Sequence, residues 1–275
     1  MKGKVCLVTG ANAGIGQATA LGLAQLGATV IMVCRSRERG EAARAEIQAQ
    51  SGNDKVDLLL ADLASQAEIR RLAVEIEARY ADLHVLINNA AIIPQQRRET
   101  AEHLEMQFAV NHLAYFLLTN LLVDKLKASA PARIVVVASQ VHASGVIDFD
   151  DLQARRNYRP SQVYANTKLA NVLFTYELAR RLKGSGVIAN CLHPGVVATN
   201  LLNDYMGVPQ GRRDRGIETS KGAQTSLYLA TSPEVAGVSG RYFVNREAAS
   251  SSAVSYDKEL AQRLWQVSAE LTGLN

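Results

Sequence analysis

Seven short runs rich in Val, Ile and Leu recur along the chain, at about 5–8, 29–33, 56–60, 85–87, 134–137, 187–192 and 242–244. Each run is continuously apolar rather than alternating, which suits strands covered on both faces, as in a parallel sheet between two helical layers. Between the runs the apolar period lengthens to that of a helix. Ser65, Gln66, Ala67 and Glu68 read as a capping box, and Ile69, Leu72, Ala73 and Ile76 follow at i, i+3, i+4 and i+7. Further helices are predicted at about 15–26, 38–50, 103–128, 161–183 with Gly184 as its stop, 220–230 and 260–271. Strand and helix alternating to the end give an α/β fold of Rossmann type. The expectation is one domain over 1–275, with seven parallel strands wound on both faces and no linker or repeat. Two segments break the rhythm, an insertion at about 141–160 and a loop at about 196–218, and long loops in compact folds are usually functional.

Composition narrows the class. With 48% hydrophobic and 20% charged residues over 275 positions, the chain has material for a large core and no signature of disorder. Thirty Lys and Arg against 26 Asp and Glu leave a net charge of +4, too mild for a duplex-binding surface, so no nucleic-acid partner is expected. The arginine runs at 35–39, 97–98, 155–156 and 212–215 read as solvated turns, apart from the first. Three cysteines, Cys6, Cys34 and Cys191, are too few and too far apart for a disulfide framework or a zinc site, and read as core residues. They fit a reducing, cytoplasmic location. The chain enters its first short apolar run at once, with nothing that reads as a signal peptide. Its most apolar later segment, 108–123, is interrupted by Asn111, His112, Thr119 and Asn120 and is not expected to span ~30 Å of hydrocarbon.

Directly after the first strand come Thr9, Gly10, Ala11, Asn12, Ala13, Gly14, Ile15 and Gly16, opening a helix in a Gly-x-x-x-Gly-x-Gly pattern. Glycines let the backbone turn tightly and approach a pyrophosphate, whose charge the helix N-terminus receives. At the end of the second strand an NAD site places a carboxylate against the ribose 2′-hydroxyl. Here the residues are Cys34, Arg35, Ser36 and Arg37, and guanidinium groups suit the 2′-phosphate of NADP(H) instead. Arg39 lies further into the helix and reads as surface.

Tyr164 and Lys168 stand four residues apart, on one face of the helix predicted from 161. A phenol near its ordinary value of ~10 works at neutral pH only with a positive charge beside it, which Lys168 supplies in this reading. Ser139, just past the fifth run, sits where the carboxyl edge of an open sheet faces its ligand crevice. Its hydroxyl would hold a substrate carbonyl.

With these residues the sequence resembles the short-chain dehydrogenase/reductase family in its NADP-preferring, retinol-dehydrogenase-like branch. The resemblance covers essentially the whole chain. Besides the glycine turn and the Tyr-x-x-x-Lys pair it rests on Asp62-Leu63, Asn88-Asn89-Ala90-Ala91, Asn111, His193-Pro194-Gly195-Val196-Val197 with Thr199, Ser239 to Phe243, and Arg263 to Ser268. It implies an NADP(H)-dependent alcohol dehydrogenase or carbonyl reductase. Tyr164 would be the general acid in reduction, Ser139 would orient the carbonyl, and Lys168 would bind the nicotinamide ribose and lower the tyrosine pKa. Asn111 would complete a proton relay through water. Asp62, Leu63, Asn89 and Ala90 would frame the adenosine half of the cofactor, with Pro194, Gly195, Val197 and Thr199 beside the nicotinamide.

The sequence also departs from the family. Ala91 replaces a frequent glycine, a small-for-small change. The insertion at 141–160 is read as lining the substrate pocket or altering the packing of the long helices through which members often form homodimers. Animal members often carry an N-terminal hydrophobic anchor, whereas this sequence opens on its first strand, so no membrane-bound retinoid role is inferred. Leu201, Leu202, Tyr205, Met206 and Val208 suggest an apolar lid over a hydrophobic carbonyl or alcohol substrate. His142 and His193 read as loop packing or pocket lining, and no metal site is expected. Two alternatives share the pattern: reduction of a carbon–carbon double bond, as in the related protochlorophyllide reductases, and a non-catalytic NADP-sensing protein. Sensors can dispense with the catalytic trio that this chain retains.

Overall fold

A computed structural model describes residues 1–208 and 216–274. Along the chain the elements are β1 (Val5–Thr9), α1 (Gly14–Gln25), β2 (Thr29–Cys34), α2 (Arg37–Ser51), β3 (Val56–Leu60), α3 (Gln66–Arg79), β4 (Val85–Asn88), α4 (Met106–Phe108) and α5 (Ala114–Ala128). They continue as β5 (Ala132–Val137), α6 (Pro160–Arg181), β6 (Val187–His193), α7 (Asn200–Met206), α8 (Thr219–Thr231), β7 (Tyr242–Val244), β8 (Glu247–Ala249) and α9 (Lys258–Thr272). Every apolar run is a strand. The sheet order is β3-β2-β1-β4-β5-β6-β7-β8. Neighbours are parallel up to β7, and β8 returns antiparallel with Ala249 opposite Tyr242. Among the described residues the strand count is therefore eight rather than the expected seven. Glu247, Ala248 and Ala249 are exposed, so β8 carries no hydrophobic signal.

Strand order reverses between β1 and β4, and the crevice at their carboxyl ends is the ligand position of such sheets. Both faces are dry because alternate residues of each strand feed different cores. Leu7 and Ile134 pack toward the side of α3, α5 and α6, whereas Cys6, Val8 and Val135 pack with Leu23 of α1 and Leu229 of α8. Ser65 caps α3 by accepting the Glu68 N–H at 3.3 Å, but Glu68 turns its carboxylate to Arg71, so only half of the capping box forms.

A π-helical turn, Ala109–Leu113, joins α4 to α5. The combined helix Met106–Ala128 is long and apolar enough by length and composition to cross a membrane, which its polar interruptions did not suggest. Its most apolar stretch is 78% buried inside the fold, and a helix wedged between a sheet and α6 requires the same composition. Helix α9 then closes over α5 and α6. Trp265 sits 4.8 Å from Phe116 and 5.7 Å from Phe174, with the Arg181 guanidinium 4.2 Å above its ring. From the insertion, Ile147 and Phe149 pack against Leu169 and Leu173 of α6. Helix α9 and the insertion thus both pack against α6.

Candidate active site

The turn between β1 and α1 is locked from below. Thr9 Oγ1 accepts the N–H groups of Asn89 (2.8 Å) and Ala90 (3.1 Å), and the Asn89 amide donates back to the Thr9 carbonyl at 2.8 Å. Gly10 and Gly14 take positive φ, +66° and +59°, conformations that side chains resist. A Cβ on Gly16 would lie 2.3 Å from the Gly10 carbonyl oxygen, so nothing larger fits. Helix α1 begins after Ala13 without a side-chain cap, leaving its first N–H groups to face the crevice.

That crevice is a cleft of about 870 Å³ along the carboxyl edge. Gly10, Asn12, Gly14, Ile15 and Gly16 line one end. Asp62 and Leu63 after β3, and Asn89 and Ala90 after β4, line it further along, as do Pro194, Gly195, Val197 and Thr199 after β6. Arg35 and Arg39 line the cleft, but Ser36 and Arg37 do not. Ser36 caps α2, accepting the Arg39 N–H at 3.4 Å. Arg35 lies in the bend before α2, and Arg39 sits in its first turn, two residues and so roughly 200° around the helix from Arg37. That angle around the helix is the signal that separates Arg39 from Arg37.

Ser139 at the end of β5, and Tyr164 and Lys168 one turn apart on α6, all line the same cleft. Lys168 is 1% exposed. Its Nζ donates to the Val137 carbonyl at 2.8 Å, 5.3 Å from the centroid of the Tyr164 ring and 5.8 Å from that of Tyr115, whose hydroxyl donates to the Ala90 carbonyl at 2.9 Å. Removing an ammonium from water disfavours it, and burial pushes Lys168 down to about 7. The same burial, with Tyr205 beside it, pushes the Tyr164 phenol above its ordinary value. Burial of the phenol thus acts against the lowering expected from Lys168.

Asn111 stands behind the cleft rather than in it. Its amide exchanges two hydrogen bonds with the backbone of Ile92 (2.9 and 3.0 Å), and its carbonyl receives the Asn171 amide at 2.9 Å. The π turn that carries it follows no side-chain period and was invisible in the sequence.

The loop at 196–218 is closed at its base. Ala198 N–H donates to the Ile217 carbonyl (2.9 Å) and Ile217 N–H to the Val196 carbonyl (2.8 Å). Its first half forms α7, capped by Thr199, and the Gln95 amide holds the Asp204 carbonyl at 2.6 Å. Leu201, Leu202 and Tyr205 line the cleft, with the Tyr205 ring edge-on to Tyr164 at 5.8 Å. Met206 and Val208 do not line it, Met206 being exposed. Pro209, Gly211 and the arginine run at 212–215 lie outside the described residues. His142 and His193 pack beside Ser139, with His193 reaching the cleft wall.

A family model described as short chain dehydrogenase matches residues 4–206. Human retinol dehydrogenase 14 is 44% identical over an alignment of 295 residues that covers 100% of this chain and 88% of the relative. Among solved structures, an uncharacterised protein from Mycobacterium paratuberculosis is 34% identical, with TM-score 0.81 over 99% of this chain and 94% of that one. A short chain dehydrogenase from Escherichia coli CFT073, solved with NADPH, shares the fold at TM-score 0.73 and 22% identity, over 90% and 98% of the two chains.

Proposed function

The chain belongs to the short-chain dehydrogenase family, and from that premise we propose that it is an NADP(H)-dependent oxidoreductase that interconverts an apolar alcohol and its aldehyde or ketone. The observation that carries this reading is the convergence of Ser139, Tyr164 and Lys168 on one end of a cleft whose other end holds an uncapped helix start and two arginines.

The cradle suits a dinucleotide. A turn with no room for a Cβ at Gly16 lets a pyrophosphate approach backbone N–H groups, and Arg35 with Arg39 suit a dianionic phosphate where NAD enzymes place a carboxylate. When bound, the cofactor supplies the hydride from its nicotinamide C4. The remaining work falls to the chain. Ser139 donates a hydrogen bond to the substrate oxygen and fixes the carbonyl. Tyr164 gives its phenolic proton to that oxygen in reduction and takes it back in oxidation. Lys168, held on the Val137 carbonyl, stands beside the phenol and limits the charge left on it. The lining from Ile93, Val141, Leu201, Leu202 and Tyr205 is apolar or aromatic, which fits a long hydrophobic substrate and agrees with a relative named for retinol. Helix α7, whose Leu201, Leu202 and Tyr205 line the cleft, would shield the substrate from water.

The test is turnover of a panel of apolar aldehydes and ketones with NADPH and with NADH. The reading expects carbonyl-dependent NADPH consumption with an alcohol as product. Consumption of no cofactor with any carbonyl overturns it, and a saturated carbon–carbon bond in the product replaces it with double-bond reduction.

A further inference from the structure

Ser139 leaves β5 in an extended conformation, and the next five residues form a 3-10 turn, Gln140–Ser144. From that turn His142 folds back, with Nδ1 2.7 Å from the Ser139 carbonyl oxygen and Nε2 3.0 Å from the backbone nitrogen of Ser252. The second contact decides the first. A backbone N–H only donates, so Nε2 is the bare nitrogen and Nδ1 carries the proton that Ser139 accepts. The ring is neutral, 3% exposed and packed at 4.9 Å against the Tyr242 ring of β7. On the other side His193, the last residue of β6, accepts the Gln140 N–H on its Nδ1 at 3.2 Å. The Ser139 carbonyl and the Gln140 N–H belong to one peptide unit. Two histidines from different elements therefore grip that unit at both ends.

The grip has a consequence for the hydroxyl. Val141, the residue after the gripped peptide, aims its N–H at Ser139 Oγ at 3.4 Å. An oxygen already accepting from the backbone turns its own hydrogen elsewhere, which for a side chain lining the cleft is toward a substrate oxygen. We propose that His142 is a positioning residue: its Nδ1–H tautomer, set by Ser252, holds the Ser139–Gln140 peptide so that the Ser139 hydroxyl stays a donor into the cleft. The inference rests on the reading of Ser139 given under Proposed function. It also ties the site to the segment after β8, which sends no side chain into the cleft.

Three variants separate the two hydrogen bonds. An asparagine side chain ends where Nδ1 stands, so His142→Asn keeps the donor to Ser139. A glutamine reaches the place of Nε2, so His142→Gln keeps the acceptor for Ser252 and loses the donor, and His142→Leu loses both. The expected result is a kcat near wild type for His142→Asn and about tenfold lower for His142→Gln and His142→Leu, the worth of one buried hydrogen bond. The KM for NADPH should be unchanged in all three. Ser139→Ala is the reference. If it retains wild-type kcat, the reading of Ser139 fails; if it loses activity while His142→Gln and His142→Leu do not, the clamp alone fails. Nitrogen NMR of histidine-labelled wild-type protein provides a measurement independent of variant folding. It should show Nδ1 protonated and Nε2 bare for His142, and the opposite tautomer overturns the proposal.

Discussion

The Nζ of Lys168 lies 5.3 Å from the centroid of the Tyr164 ring, yet it donates its hydrogen bond to the carbonyl of Val137, 2.8 Å away, and not to the phenol. The lysine is thus anchored to the sheet, and α6 brings the tyrosine to it. Both groups are buried and both are shifted toward their neutral forms.

A buried amine is a cost to the fold, and its sign with pH is fixed. In the unfolded chain Lys168 holds its proton up to ~10.5, whereas in the folded protein it loses it at about 7. Between those values the unfolded state binds more protons, so stability falls as pH drops from ~10.5 to about 7 and levels off at its lowest below that. Lys168→Met should therefore be more stable than wild type at pH 6 by on the order of a few kcal/mol, with the gap closing toward pH 10. Chemical denaturation of both proteins across this range checks it; a gap that does not change with pH contradicts it.

Tyr164 held above its ordinary value is protonated at neutral pH, the form that carbonyl reduction needs and alcohol oxidation does not. The kcat of oxidation should climb about tenfold per pH unit through the neutral and mildly alkaline range while that of reduction stays level. Parallel profiles in the two directions would rule out the phenol as the shared acid and base.

Arg35 and Arg39 face the cleft and Arg37 does not. Arg39→Ala should lower kcat/KM for NADPH by about 10- to 100-fold, the worth of a charge-assisted hydrogen bond, with little change for NADH. Arg37→Ala should behave as wild type in the same assay. Equal losses with the two cofactors would remove the arginine from 2′-phosphate recognition.

A methyl group at Gly16 would meet the Gly10 carbonyl oxygen at 2.3 Å, and backbone cannot swing aside as a side chain can. Gly16→Ala should destabilise the fold by about 1–3 kcal/mol. NADP(H) affinity, read by titration calorimetry, should fall more than about tenfold, a loss of over one good hydrogen bond.

What the chain's pattern revealed followed from burial. Continuous apolar runs such as that at 85–87 are strands because both faces are covered, and the glycine turn is legible because only glycine tolerates its geometry. What it hid follows no repeating signal. Strand β8 is short and exposed, and the π turn at Asn111 follows no side-chain period. Arg39 was passed over because its distance along the helix was weighed and its angle around it was not. The direction of the Tyr164 shift depends on how completely the fold excludes water, which spacing alone does not encode. His142 looked like loop packing, and only the position of Ser252, 110 residues away, discloses its tautomer.

The most direct measurement is the turnover of Tyr164→Phe with NADPH and a carbonyl that the wild type reduces, alongside its NADPH binding. The account predicts a kcat about 10³-fold lower with affinity for NADPH retained, because the phenyl ring keeps the packing and loses only the proton. Wild-type turnover in that variant would contradict the assignment of Tyr164 as the proton donor.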